Sequence, residues 1–157
     1  MDVAGLELPL VPFLPRISAL LEAERALVLT AEPGAGKSTL VPPFLLGEQW
    51  LAGRKILMLE PRRLAAAAVA TRIAELLGEP VGGRAGYRVR SAARIGRDTR
   101  IEVVTEALLT RAIQEDQLLT GVGLVIFDEF HERSIHADLA SRSPWRCGGR
   151  GRTSPCW

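Results

Sequence analysis

The stretch AEPGAGKST, residues 31–39, puts two glycines, a lysine and two hydroxyl side chains within nine positions. It fits the pattern [A/G]-x-x-x-x-G-K-[S/T], with Ala31 in first place. Gly34 and Gly36 let backbone N–H groups turn toward a phosphate with no Cβ in the way. A helix opening at Lys37 adds the partial positive charge of its N-terminus. Lys37 is then placed to reach β- and γ-phosphates as a catalytic cation, and the Ser38 hydroxyl to ligate Mg²⁺. Gly34, Ala35, Gly36, Lys37, Ser38 and Thr39 are the candidate ATP-binding residues. The competing reading is a glycine turn that precedes a lysine by chance; the strand predicted before it and the helix predicted after it, the context the phosphate motif requires, weigh against that reading.

A second candidate follows about ninety residues later in LVIFDEFHERS, residues 124–134. Four apolar residues bury a strand, and Asp128 and Glu129 emerge at its C-terminal end, the edge where open α/β sheets bind ligands. Asp128 suits Mg²⁺ held through its water shell, and Glu129 suits a catalytic role on the attacking water. Alone, such a pair reads equally as solvated strand caps; after a phosphate loop it gains weight. His131 and His136 form H-E-x-x-x-H, one residue longer than the zinc-protease spacing, so the two imidazoles would leave a helix on different sides.

The elements that must hold these groups alternate. ALVLTA (26–31) reads as a buried strand, and KSTLVPPFLLGEQWL as a helix with Pro42 and Pro43 in its first turns, where proline costs least. RKILMLE (54–60) is a strand. PRRLAAAAVATRIAELLG is a helix, rich in alanine and stopped by Gly78. GYRVR and RIEVVT are strand-like, EALLTRAIQED helical, GVGLVIFDEF a strand, and a short helix starts near Pro15. Strands alternating with helices predict an α/β fold with a mostly parallel sheet flanked by helices on both faces.

The 157 residues suffice for one domain, and a 47% hydrophobic content is that of a globular chain. Lacking a membrane-length apolar run or a basic leader, the sequence reads as cytoplasmic. The net charge of +2 hides a break at Ser141: residues 141–157 hold four arginines and no acid, so residues 1–140 carry 16 basic and 18 acidic groups, a net of −2. Any nucleic-acid site must therefore be a local patch. Cys147 and Cys156 both fall in that tail and offer no zinc spacing. The domain expectation is 1–140, with 141–157 a non-native-looking, disordered tail. In GC-rich codons another frame of SRSPWR spells an Ala-Leu repeat, which suits the helix HADLA begins, so a frameshift near codon 140 accounts for the tail.

DEFH, continuing as ERSIHADLA, resembles the DEAH-box group of superfamily 2 ATP-dependent helicases, and within it the bacterial HrpB type. LEPRRLAAAAVA (59–70), GYRVR (86–90) and VVTEALLTR (103–111) are similar to further blocks of that family in the same order, so the likeness covers nearly all of residues 10–140. Ala107 stands where the family usually has glycine, and Ala31 replaces the usual first loop glycine. The resemblance implies a RecA-like P-loop NTPase domain, incomplete beyond the DEFH strand and helix, that uses ATP and Mg²⁺. It also implies that Arg62, Arg63 and Thr105 touch the backbone of single-stranded nucleic acid, RNA or DNA. His131 and Arg133 would couple the nucleotide site to a second RecA-like domain. The six arginines at 84, 88, 90, 94, 97 and 100 are either part of that patch or a solvated face.

The family's Ser-Ala-Thr motif, second RecA-like domain and arginine fingers have no counterpart in this sequence. Arginine fingers supply about 10³–10⁵ in rate in related NTPases. The expectation is a chain that binds ATP weakly and does not unwind nucleic acid alone. Two other readings stand beside it: a nucleic-acid-binding or regulatory P-loop module, and a small P-loop kinase, for which no lid or acceptor site is evident.

Overall fold

The computed structural model describes residues 8–129. A single 3-10 turn leads into α1 (Leu14–Glu24), then α2 (Lys37–Leu45), β1 (Lys55–Leu59), α3 (Arg63–Leu76), β2 (Ala85–Val89), β3 (Ala92–Arg94), β4 (Ile101–Val104), α4 (Glu106–Glu115) and β5 (Val122–Phe127). The five strands form one sheet in the order β3-β2-β4-β1-β5, parallel except for the antiparallel β2–β3 hairpin. The mostly parallel α/β architecture expected from the sequence is present.

Alternation along the strands divides the core between two faces. Ile56, Met58, Ile101 and Val103, all fully buried, meet α1, α2 and α3 through Leu14, Leu40, Leu45, Ala66, Ala70 and Ile73. Leu57, Leu59 and Val104 face the other way, against Leu109 of α4. Helix α3 is built on alanine at its sheet-facing positions, which lets it lie close to β2 and β4. It ends in a Schellman turn: Gly78 has φ +70°, its N–H donates to Glu75 O, and the Glu79 N–H donates to Ala74 O.

Three expectations need correction. Residues 26–31 are not a strand: Val28 is 91% exposed, and only Leu29 and Ala31 pack toward the core. A strand needs neighbours for its N–H and C=O groups, and no strand of the described sheet pairs with residues 26–31, although β5 is paired on one side only. An apolar run cannot specify a partner that it lacks. Pro42 and Pro43 are the sixth and seventh residues of α2, not part of its first turn. They remove the amide donors for the Ser38 and Thr39 carbonyls, and burial of both rings accompanies that loss. Finally, β3 was not foreseen, because Ala92–Arg94 is exposed throughout and carries no apolar alternation.

Candidate functional site

The loop before α2 is set by backbone conformation. Gly34 and Gly36 have φ of +80° and +94°, in the left-handed region that side chains avoid. Gly36 is also sterically confined, since a Cβ there would lie 2.7 Å from Leu40 Cδ1, whereas one at Gly34 would meet nothing within 4 Å. Gly36 caps α2, and its carbonyl accepts the Leu40 N–H at 2.8 Å. The Lys37 ammonium curls back into the loop and donates to the carbonyls of Ala31 (2.5 Å) and Glu32 (2.9 Å). The cation therefore sits within the curve of its own loop, at the positive end of the helix. Ala35 is buried, and Gly36, Lys37, Ser38 and Thr39 are half-buried. An apolar hollow lined by Phe13, Ile17, Leu20, Leu27 and Ala31 runs beside it.

The second group of residues collects at the C-terminal edge of the sheet, where β1 and β5 lie side by side with Leu59 opposite Phe127. Asp128 follows β5 directly, and its N–H donates to Leu59 O at 3.0 Å. Glu129 has a left-handed backbone, φ +49°, and its N–H donates to Asp128 Oδ1 at 3.1 Å. Its carboxylate forms an ion pair with Arg62 at 3.4 Å, although among the described residues Oε2 is buried without a hydrogen-bond partner. The two findings agree if the contact is electrostatic and lacks hydrogen-bond alignment.

One residue of this edge was missed in the sequence. Glu60, 3% exposed, directly follows β1, and its Oε1 accepts the Arg62 N–H at 3.1 Å. Burial pushes its carboxyl above the ordinary value of 4.5, the Arg62 N–H opposes that shift, and the charges of Asp128 and Glu129 add to it. The only hint in the sequence was an acid closing an apolar strand just before Pro-Arg-Arg.

Arg62 and Arg63 open α3 and are exposed. Thr105 precedes α4 and is only 8% exposed. β4 and β1 are neighbours, so Thr105 and the two arginines share the sheet edge that carries Asp128 and Glu129. Among the described residues, no hydrogen bond or ion pair joins Lys37 or Ser38 to Asp128 or Glu129. His131, Arg133 and the tail lie outside the described residues. Among the described residues, the side chains of three of the six clustered arginines have partners: Arg84 with Glu79 (2.6 Å), Arg88 with the buried Glu102 (3.0 Å), and Arg100 with the Arg54 carbonyl (3.0 Å). Arg90, Arg94 and Arg97 are exposed on the β2–β3 hairpin and the loop after it.

A family model described as DEAD/DEAH box helicase matches residues 16–139. The chain belongs to that family. Among relatives of this helicase domain, the ATP-dependent RNA helicase HrpB of Escherichia coli (strain K12) is 54% identical over 133 residues, 85% of this chain and 16% of that protein. The ATP-dependent RNA helicase DHX29 of Mus musculus is 41% identical over 143 residues, covering 85% of this chain and 10% of that protein. The crystal structure of the Escherichia coli DEAH/RHA helicase HrpB superposes with a TM-score of 0.79 at 52% identity, over 86% of this chain and 17% of that one. The chain thus spans about a sixth of the length of the HrpB it matches. These likenesses establish the RecA-like helicase fold and the DEAH-box assignment. No helix among the described residues is long and apolar enough to cross a membrane.

Proposed function

We propose that this chain supplies the ATP-binding part of an ATP-dependent DEAH-box helicase, in which ATP hydrolysis is coupled to movement along single-stranded nucleic acid. The observation that carries the reading is the loop 34–37, with two left-handed glycines, a helix opening directly behind them and Lys37 folded into the turn. In this reading Gly34–Thr39 cradle the phosphates and Lys37 stabilises the charge that develops on them. The Ser38 hydroxyl and the Asp128 carboxylate are hard oxygen donors of the kind Mg²⁺ takes alongside water and phosphate. Bound there, Mg²⁺ would neutralise phosphate charge, and Glu129 would orient or deprotonate the attacking water.

Arg62, Arg63 and Thr105 are the proposed contacts to the nucleic-acid backbone. The near-burial of Thr105 favours a contact through its hydroxyl or backbone at the mouth of the edge. His131 and Arg133 are the proposed link to a second RecA-like domain, without which the chain binds ATP weakly and does not unwind duplexes. Titration with a fluorescent ATP analogue and Mg²⁺ tests the central claim. Binding should be measurable for the chain and fall at least about tenfold in Lys37→Ala, the loss of one charge-assisted contact. Equal affinity in the two proteins would remove the phosphate-loop reading.

A further inference from the structure

The Arg62–Glu129 ion pair joins the two functional halves of the sheet edge. It connects the proposed water-activating carboxylate to a residue of the proposed nucleic-acid track, and the following inference rests on those two assignments. Three local facts show that Glu129 is held. Its backbone is left-handed at φ +49°, its N–H is tied to Asp128 Oδ1, and its carboxylate lies against the Arg62 guanidinium at 3.4 Å. A non-glycine residue in that conformation persists only where its surroundings enforce it. Arg62 is held in turn from behind, because the buried Glu60 accepts its backbone N–H at 3.1 Å. The Arg62 side chain is 62% exposed, so a solvent-borne anion can approach it while it still pairs with Glu129.

We propose that Arg62 is a positioning residue that parks Glu129, and that a nucleic-acid phosphate competing for its guanidinium releases the carboxylate for catalysis. Glu60 fixes the start of α3, so the exchange occurs at the side chain while the backbone of Arg62 stays in place. The Glu129 contact is a through-space ion pair, so a phosphate that takes the donors of the guanidinium neutralises the charge that holds the carboxylate. By linkage the coupling runs both ways: whatever draws Glu129 off Arg62 tightens nucleic-acid binding. Nucleic acid and nucleotide are thereby connected within this one sheet, through a single cation.

The experiment measures binding of a fluorescein-labelled single-stranded oligonucleotide by anisotropy at low salt. It uses the full 157-residue chain and its Glu129→Gln, Arg62→Ala and doubly substituted forms, with folding checked by circular dichroism. Glu129→Gln is nearly isosteric and removes the negative charge that lies 3.4 Å from Arg62. The partly exposed pair predicts a tightening of roughly two- to fivefold. Arg62→Ala should weaken binding, and adding Glu129→Gln to it should then change nothing. Equal affinity of the chain and Glu129→Gln overturns the proposal while leaving nucleic-acid binding intact. So does a tightening that persists in the Arg62→Ala background, since any removed acid would produce that. Failure of every form to bind the oligonucleotide overturns both the proposal and the nucleic-acid reading beneath it.

Discussion

Gly36→Ala tests the phosphate loop as a physical object, apart from any ligand. At φ +94° a side chain costs roughly 1–2 kcal/mol. The new Cβ would also lie 2.7 Å from Leu40 Cδ1. Leu40 is 0% exposed, so it can yield only by repacking against its neighbours, at about 1–3 kcal/mol. The sum is about 2–5 kcal/mol, a large part of the ~5–15 kcal/mol that holds a typical domain together. For a domain of this size it corresponds to a fall of roughly 5–20 °C in melting temperature. Gly34→Ala shares the backbone strain but has nothing within 4 Å, so it should cost only about 1–2 kcal/mol. Urea unfolding followed by circular dichroism gives both values. Leu40→Ala supplies the decisive background: with the clashing methyl gone, Gly36→Ala should cost no more than Gly34→Ala, a coupling of about 1–3 kcal/mol. Equal costs for the two glycine substitutions in the parent chain, or an undiminished cost beside Leu40→Ala, would refute the steric argument.

Other substitutions probe different parts of the edge and the core. The raised carboxyl of Glu60 has a defined sign: its contribution to stability is fully present below about pH 4.5 and is lost as pH rises through its higher folded value. Glu60→Gln keeps an acceptor for the Arg62 N–H, so melting curves from pH 4 to 8 should show the variant gaining on the parent as pH rises; a constant gap would count against burial as the cause. Trp50 Nε1 donates to the buried Ser18 hydroxyl at 3.1 Å, and Ser18→Ala should cost about 1 kcal/mol, a loss that largely vanishes in a Trp50→Phe background. Gly86→Ala would drive a Cβ into the Arg94 carbonyl oxygen across the β2–β3 hairpin. Amide exchange should accelerate at Tyr87–Arg94 and stay slow in β1, and uniform acceleration would show the hairpin and the core to be one unit.

What could be read in the sequence was what local chemistry dictates. The glycines of the loop announce their dihedral angles, Gly78 announces the end of α3, and the apolar runs of β1 and β5 announce buried strands that finish at a ligand edge. What escaped depends on neighbours distant along the chain. Residues 26–31 have the composition of a strand, yet no strand of the described sheet pairs with them. Glu60 looked like an ordinary acid until the strand order put it beside Asp128 and Glu129. The arginine cluster could not be apportioned from sequence, because the partners of Arg84, Arg88 and Arg100 lie on other elements.

The strand order also carries a timetable. Ile56 of β1 pairs with Ile101 on one side and Leu124 on the other. A ribosome adding ~5–20 residues per second leaves β1 without its second neighbour for several seconds. During that interval β4 and α4 are completed, so one ladder of β1 and the face of Leu57 and Leu59 are covered before β5 arrives. The β5 side of β1 is thus the last ladder of the described sheet to close during synthesis. Codon usage or pausing between residues 60 and 124 would decide how long the nascent sheet waits.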